Sequence, residues 1–193
     1  DKIFHQAFET QDAALQPVHS LPFDFQELLN VNGFIYNFAI SPDQRIMAYS
    51  FEKQVILWDM AQDVQIGPTF DLSPESFAFH QLEFNLDGRW LASADNDNII
   101  VWSIPAAQKT YTLRGRELAI SPDGTILASI DDGSIIILYD LSKGQEITRL
   151  KDNIPVGLSS LEFSPDGRLL AAGGDYAVFL WNLEKRELVG RSY

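Results

Sequence analysis

Five aspartates and two phenylalanines are the residues of this chain whose type and spacing point beyond folding. Asp95 and Asp97 sit in Ala94-Asp95-Asn96-Asp97-Asn98 with the i, i+2 spacing that opens a calcium loop. An EF-hand would then need Gly where Ile100 stands and Glu where Ala106 stands. Since Asn and Asp tolerate positive φ, the stretch reads instead as a polar hairpin turn. Asp131 and Asp132 adjoin Gly133, and Asp175 follows Gly173-Gly174. Carboxylates so placed could attract a basic peptide or protein surface. As general acids or bases they would need a shifted pKa and a pocket, which spacing does not reveal. Phe77 and Phe79 lie in the loop Ser73-Gln81. Exposed, they would anchor a partner; packed under the loop, their commoner fate, they would only close it.

Other chemistry is poorly supported. The phosphate-binding, dinucleotide-binding, nucleophile-elbow and zinc-protease motifs are missing from the sequence. There is no cysteine, so thiolate nucleophiles, disulfides and cysteine-based zinc sites are excluded. His5, His19 and His80 have no metal-ligand spacing and read as surface or loop residues. No catalytic residue, cofactor site or metal site is therefore expected. The net charge of −13 disfavours nucleic acid and anionic membranes as partners and leaves basic protein surfaces open. No apolar run approaches the roughly 20 residues that span a bilayer. No signal peptide is visible, and a cytoplasmic location is expected.

Those aspartates are held by a repeat. Four segments align: Phe38-Met60, Leu82-Ile104, Leu118-Leu141 and Leu161-Leu183. A turn opens at Ser41, Asn85, Ser121 and Ser164, and an aromatic follows at Trp58, Trp102, Tyr139 and Trp181, 17, 17, 18 and 17 residues later. Ser-Pro-Asp-Gly is turn chemistry: Pro presets φ, Asp bonds local backbone, and Gly accepts positive φ. The apolar runs on either side are too short for helices and rich in branched residues, so they are expected to be strands. Ile99-Trp102 and Ile135-Tyr139 are apolar without alternation, as for strands covered on both faces. In an all-β repeat the cover is the next unit on each side. The polar runs 63–70, 108–113, 144–150 and 186–192 read as outer edge strands, where charge discourages edge-to-edge pairing.

The period, the Ser-Pro-Asp-Gly turn, the Leu-Ala-Ser strand and the Trp-Asp ending resemble the WD40 repeat family of β-propellers over about residues 34–193. Trp58-Asp59 is the family dipeptide intact; Trp102-Ser103, Tyr139-Asp140 and Trp181-Asn182 are degenerate forms. The family's Gly-His pair is missing, so its His, Asp, Ser and Trp network can be only partial. Ser93 and Ser129 stand at its serine position, and Asp95, Asp131 or Asp132, and Asp175 near its loop aspartate. The resemblance implies an all-β fold of four-stranded antiparallel blades, at about 34–72, 73–113, 114–150 and 151–193. Residues 1–33 would be outer strands of a preceding blade. It also implies that the second-to-third-strand loops gather on one face, where Glu52, Asp95, Asp97, Asp131, Asp132 and Asp175 would form an acidic rim. Trp58, Trp102, Tyr139 and Trp181 would be packing anchors.

Family propellers usually close with more blades than four. The start at Asp1 and the end inside an outer strand suggest a fragment; closure by a second copy and a small ring are the other expectations. Open blade faces would expose apolar surface and favour self-association. The expected function is a non-catalytic protein–protein interaction scaffold, with homotypic assembly as the alternative. An enzyme using the central channel is disfavoured by scarce histidine and absent nucleophile motifs.

Overall fold

Each Ser-Pro-Asp turn reverses the chain so that the apolar runs beside it pair as antiparallel strands. The computed structural model describes residues 35–51, 53–71, 81–95, 97–131, 135–151 and 157–192. All described elements are strands, and no described helix is long and apolar enough to cross a membrane. Contacts divide the chain into 1–32 and 33–193, and the described strands all belong to the second unit. The N-terminal partial blade expected over 1–33 lies outside the described residues, as do Glu52, Phe77, Phe79, His5, His19, His80 and Asp132.

Four sheets form in sequence order. The first holds β1 (Ile35–Ile40), β2 (Ile46–Phe51), β3 (Gln54–Asp59), β4 (Val64–Gln65) and β5 (Phe70–Asp71). The second holds β6 (Gln81–Phe84), β7 (Trp90–Ala94), β8 (Asn98–Ser103) and β9 (Gln108–Arg114). The third is β10 (Leu118–Ile120), β11 (Ile126–Asp131), β12 (Ile135–Asp140) and β13 (Gln145–Leu150). The fourth is β14 (Leu158–Phe163), β15 (Leu169–Gly174), β16 (Val178–Asn182) and β17 (Glu187–Ser192). One outer strand departs from expectation. The run 63–70 is not a single strand: it breaks at Gly67-Pro68 into β4 and β5, both paired with β3. Pro68 has no N–H to give the ladder and Gly67 turns at φ +64°, so the edge must interrupt there.

Strand alternation gives each blade two faces. One face carries the repeat aromatic and looks back to the preceding blade; the other is built on small and branched residues and looks forward. Leu82, Phe84, Leu91 and Trp102 pack back against Ala48, Val55 and Leu57 of the first blade, where Phe70 stacks on Trp102 with ring centroids 5.5 Å apart. Ala92, Ile99 and Val101 face forward onto Leu118, Leu127 and Tyr139. Ala128, Ile136 and Leu138 face forward onto Leu161, Phe163 and Trp181. This is why β8 and β12 are buried on both faces, whereas β3 and β16, in the end blades, alternate. The anchors Trp102, Tyr139 and Trp181 are buried, while Trp58, on the back face of the first blade, is half-buried.

The turns are built alike. Ser41, Ser121 and Ser164 hydroxyls each donate to the aspartate two residues on, at 2.6 Å, and accept the N–H five residues on, at 2.9 Å. These hydroxyls hold the Asp43, Asp123 and Asp166 carboxyls below the usual range. In the second blade the Asn85 side-chain oxygen takes the serine's place, accepting from Trp90 N–H at 2.9 Å. Gly88, Gly124 and Gly167 sit at φ near +70°, and Gln44 holds the same position at φ +59°, which strains a residue with a Cβ.

Candidate functional site

The blades are aligned by side chains on the inner strands. Gln81 Oε1 accepts Leu118 N–H at 3.1 Å, and Glu83 Oε1 accepts Ile120 N–H at 3.2 Å. Two bonds in step, 81 to 118 and 83 to 120, require β6 and β10 to run parallel. Arg116 reaches from the start of the third blade to the Leu158 carbonyl at 2.7 Å, at the start of β14. Successive blades therefore keep the hairpin ends of their second and third strands on one rim, with the Ser-Pro-Asp turns on the other.

The hairpin rim differs from the acidic one expected. Asp95 is buried, and its Oδ1 accepts the N–H groups of Asp97 at 3.0 Å and Asn98 at 2.7 Å. It is a turn-forming residue, as its position between two strands suggests. Asp131 is also buried. Arg114 Nε donates to its Oδ1 at 2.8 Å and Arg149 Nη1 lies 3.5 Å from its Oδ2. The rim thus carries cations as well as acids, and two of its aspartates are buried and already engaged within the blades. Asp97 and Asp175 are exposed at their hairpin tips. Beside Asp175 stands Tyr176, 84% exposed, the most exposed of the large apolar side chains among the described residues.

Around Arg114 the third blade builds a network of its own. Ser129 Oγ and Tyr139 Oη both donate to the Arg114 carbonyl, at 2.9 and 3.1 Å. Gly115 follows at φ +138°, where an added Cβ would lie 2.5 Å from Ser129 Oγ. Only glycine fits there. The expected partial network is thus present in the third blade with an arginine backbone and guanidinium as its hub.

Glu83 was not singled out by sequence reasoning. Burial pushes its carboxyl up to about 7, against the Ile120 N–H that favours the anion, with Glu162 raising it further. The signal was there in the repeat. Glu occupies this inner-strand position in Leu82-Glu83-Phe84 and Leu161-Glu162-Phe163, where the other repeats have Ala39 and Ala119. Tyr176 was readable only as part of a glycine-rich loop. Among the described residues no group of three His, Cys, Asp or Glu side chains converges as metal ligands would.

The family described as "WD domain, G-beta repeat" matches residues 144–182. The target of rapamycin complex subunit wat1 of Schizosaccharomyces pombe is 26% identical over 151 residues, covering 75% of this chain and 48% of that protein. Human transducin beta-like protein 2 is 29% identical over 168 residues, covering 75% of this chain and 37% of that one. The chain spans less than half the length of either. Among solved structures, Kuenenia stuttgartiensis hydrazine synthase superposes with a TM-score of 0.67 at 19% identity, over 81% of this chain and 48% of that one. That likeness is one of fold alone.

Proposed function

We propose a function from one premise: the chain belongs to the WD40 repeat family. Its sheets are β-propeller blades, and proteins of this family are generally non-catalytic scaffolds for protein partners. The finer proposal is that this chain binds a protein through its hairpin rim, at Asp97 and the Asp175-Tyr176 tip. The observation that carries it is Tyr176. A phenol ring exposed on a tip of turn residues contributes little to folding, yet an aromatic of this kind is what anchors a partner. Exposed carboxylates at Asp97 and Asp175 suit cationic groups around such an anchor. The similarity to a protein named as a complex subunit supports the same reading. Glu83, whose raised pKa would otherwise suggest acid–base work, spends its carboxylate on the Ile120 N–H in a blade joint.

Affinity capture with the wild-type chain, compared with Tyr176→Ala and with the pair Asp97→Asn and Asp175→Asn, tests this. Partners should fall at least tenfold with Tyr176→Ala and lose their salt sensitivity with the paired change. Undiminished capture by both variants, folded to the same melting temperature, would refute it. A second reading, self-association through the faces of the end blades, is favoured by the exposure of Phe38 and Ile40 on β1.

A further inference from the structure

The joint between the second and third blades carries two polar ties, and only one of them can titrate. Both leave the inner strand β6 and end on N–H groups of β10. Ser121 N–H bonds the Ile126 carbonyl on β11, so by alternation the Leu118 and Ile120 N–H groups point off the inner edge, toward the second blade. Gln81 Oε1 meets the first at 3.1 Å and Glu83 Oε1 the second at 3.2 Å. Gln81 Nε2 also donates to the other carboxylate oxygen of Glu83, at 3.4 Å. A tie alone would be served by an amide at 83, as it is at 81. Nor does a blade need a carboxylate there, since Ala39 and Ala119 hold the same repeat position in the first and third blades.

The surroundings of Glu83 favour the neutral acid. Its neighbours Leu82 and Phe84, and Ile120 across the joint, are buried. Of the described strands packed on β6, β7 and β10 bring no titratable side chain, and β1 and β2 bring only the phenols of Tyr36 and Tyr49. From β14 comes Glu162, a like charge. No cation is among them. Burial, opposed by the Ile120 N–H and aided by Glu162, lifts the Glu83 carboxyl to about 7. Glu83 is half-buried at an inner edge, so the anion can reach water by turning its side chain, without parting the blades.

We propose that Glu83 is a pH-operated latch on this joint. As the neutral acid it stays docked on the Ile120 N–H; as the anion it swings out to water and leaves that N–H bare. The docked form holds its proton more tightly than a hydrated carboxyl does. The latch is therefore closed below about pH 4.5, opens as pH rises toward 7 and shifts no further above. The blades stay packed through Ala92, Ile99 and Val101 against Leu118 and Leu127, so what is released is the inner edge rather than the fold. Gln81 keeps its own tie throughout.

Amide hydrogen exchange of the full chain, read residue by residue, is the test, since the Ile120 N–H is protected only while an acceptor sits on it. Leu118, on the same edge and held by an amide, is the control. Rates are corrected for their intrinsic pH dependence. Protection at Ile120 in the wild type should then fall about tenfold or more from pH 5 to pH 8, while protection at Leu118 holds. The interval from 4.5 to about 7 sets an upper limit of roughly a hundredfold, which half-burial reduces. In Glu83→Gln, which keeps an oxygen for the N–H, Ile120 should be equally protected at both pH values. Constant protection at Ile120 in the wild type would refute the latch. So would the same fall in Glu83→Gln, or a fall at Leu118 that matches Ile120, because the whole edge or the whole chain would then be opening instead.

Discussion

Replacing Glu83 by Gln should stabilise the protein at pH 8 and do little at pH 5. Glu83 is held in the joint between the second and third blades, where burial raises its pKa from 4.5 to about 7. The folded chain therefore keeps a proton that the unfolded chain has lost between these values. Stability is greatest below about pH 4.5, falls as pH rises toward 7, and is level above. The full difference corresponds to about 3 kcal/mol at 1.36 kcal/mol per unit. The site is only partly shielded from water, which reduces this to about 1–3 kcal/mol. Gln keeps an oxygen for the Ile120 N–H and removes the ionisation. Urea unfolding at pH 5 and pH 8 reads the effect. The wild type should lose about 1–3 kcal/mol between the two relative to Glu83→Gln, a slope opposite to that of the turn aspartates. Their lowered pKa values give stability that is lost only as pH falls below the ordinary carboxylate range. Parallel pH profiles for wild type and Glu83→Gln would refute the reasoning.

Three further substitutions test the packing. Trp102→Ala removes a fully buried ring stacked on Phe70 and should destabilise by about 3–5 kcal/mol in urea unfolding, whereas Trp58→Ala, on the open back face, should cost about 1–2 kcal/mol. Gly115→Ala would put a Cβ 2.5 Å from Ser129 Oγ at φ +138° and should cost about 2–4 kcal/mol, measured the same way.

What the sequence made legible was whatever depends on neighbours along the chain. The Ser-Pro-Asp turns, the strands beside them and the double burial of Ile99-Trp102 follow from local chemistry and period. The interruption at Gly67-Pro68 could also have been read from Pro68, which cannot donate to a ladder. The roles of the aspartates could not. Asp95 and Asp97 are two residues apart and chemically identical, yet one is buried in a turn and the other exposed. The choice depends on which carboxylate finds the two N–H groups at 97 and 98. Asp131 loses its role on the rim to Arg114 and Arg149, which lie 17 residues before and 18 after it. Val178 reads as core just as Ile99 does. What separates them is whether another blade packs on that face, which no local pattern records.

The claim that the hairpin rim is the binding surface is tested most directly by photo-cross-linking. A benzophenone amino acid is placed at 176, on the hairpin rim of the fourth blade, or at 184, in the exposed turn at the opposite rim of the same blade. Partner adducts should form from position 176 and be absent from position 184. Adducts from 184 with none from 176 would contradict it.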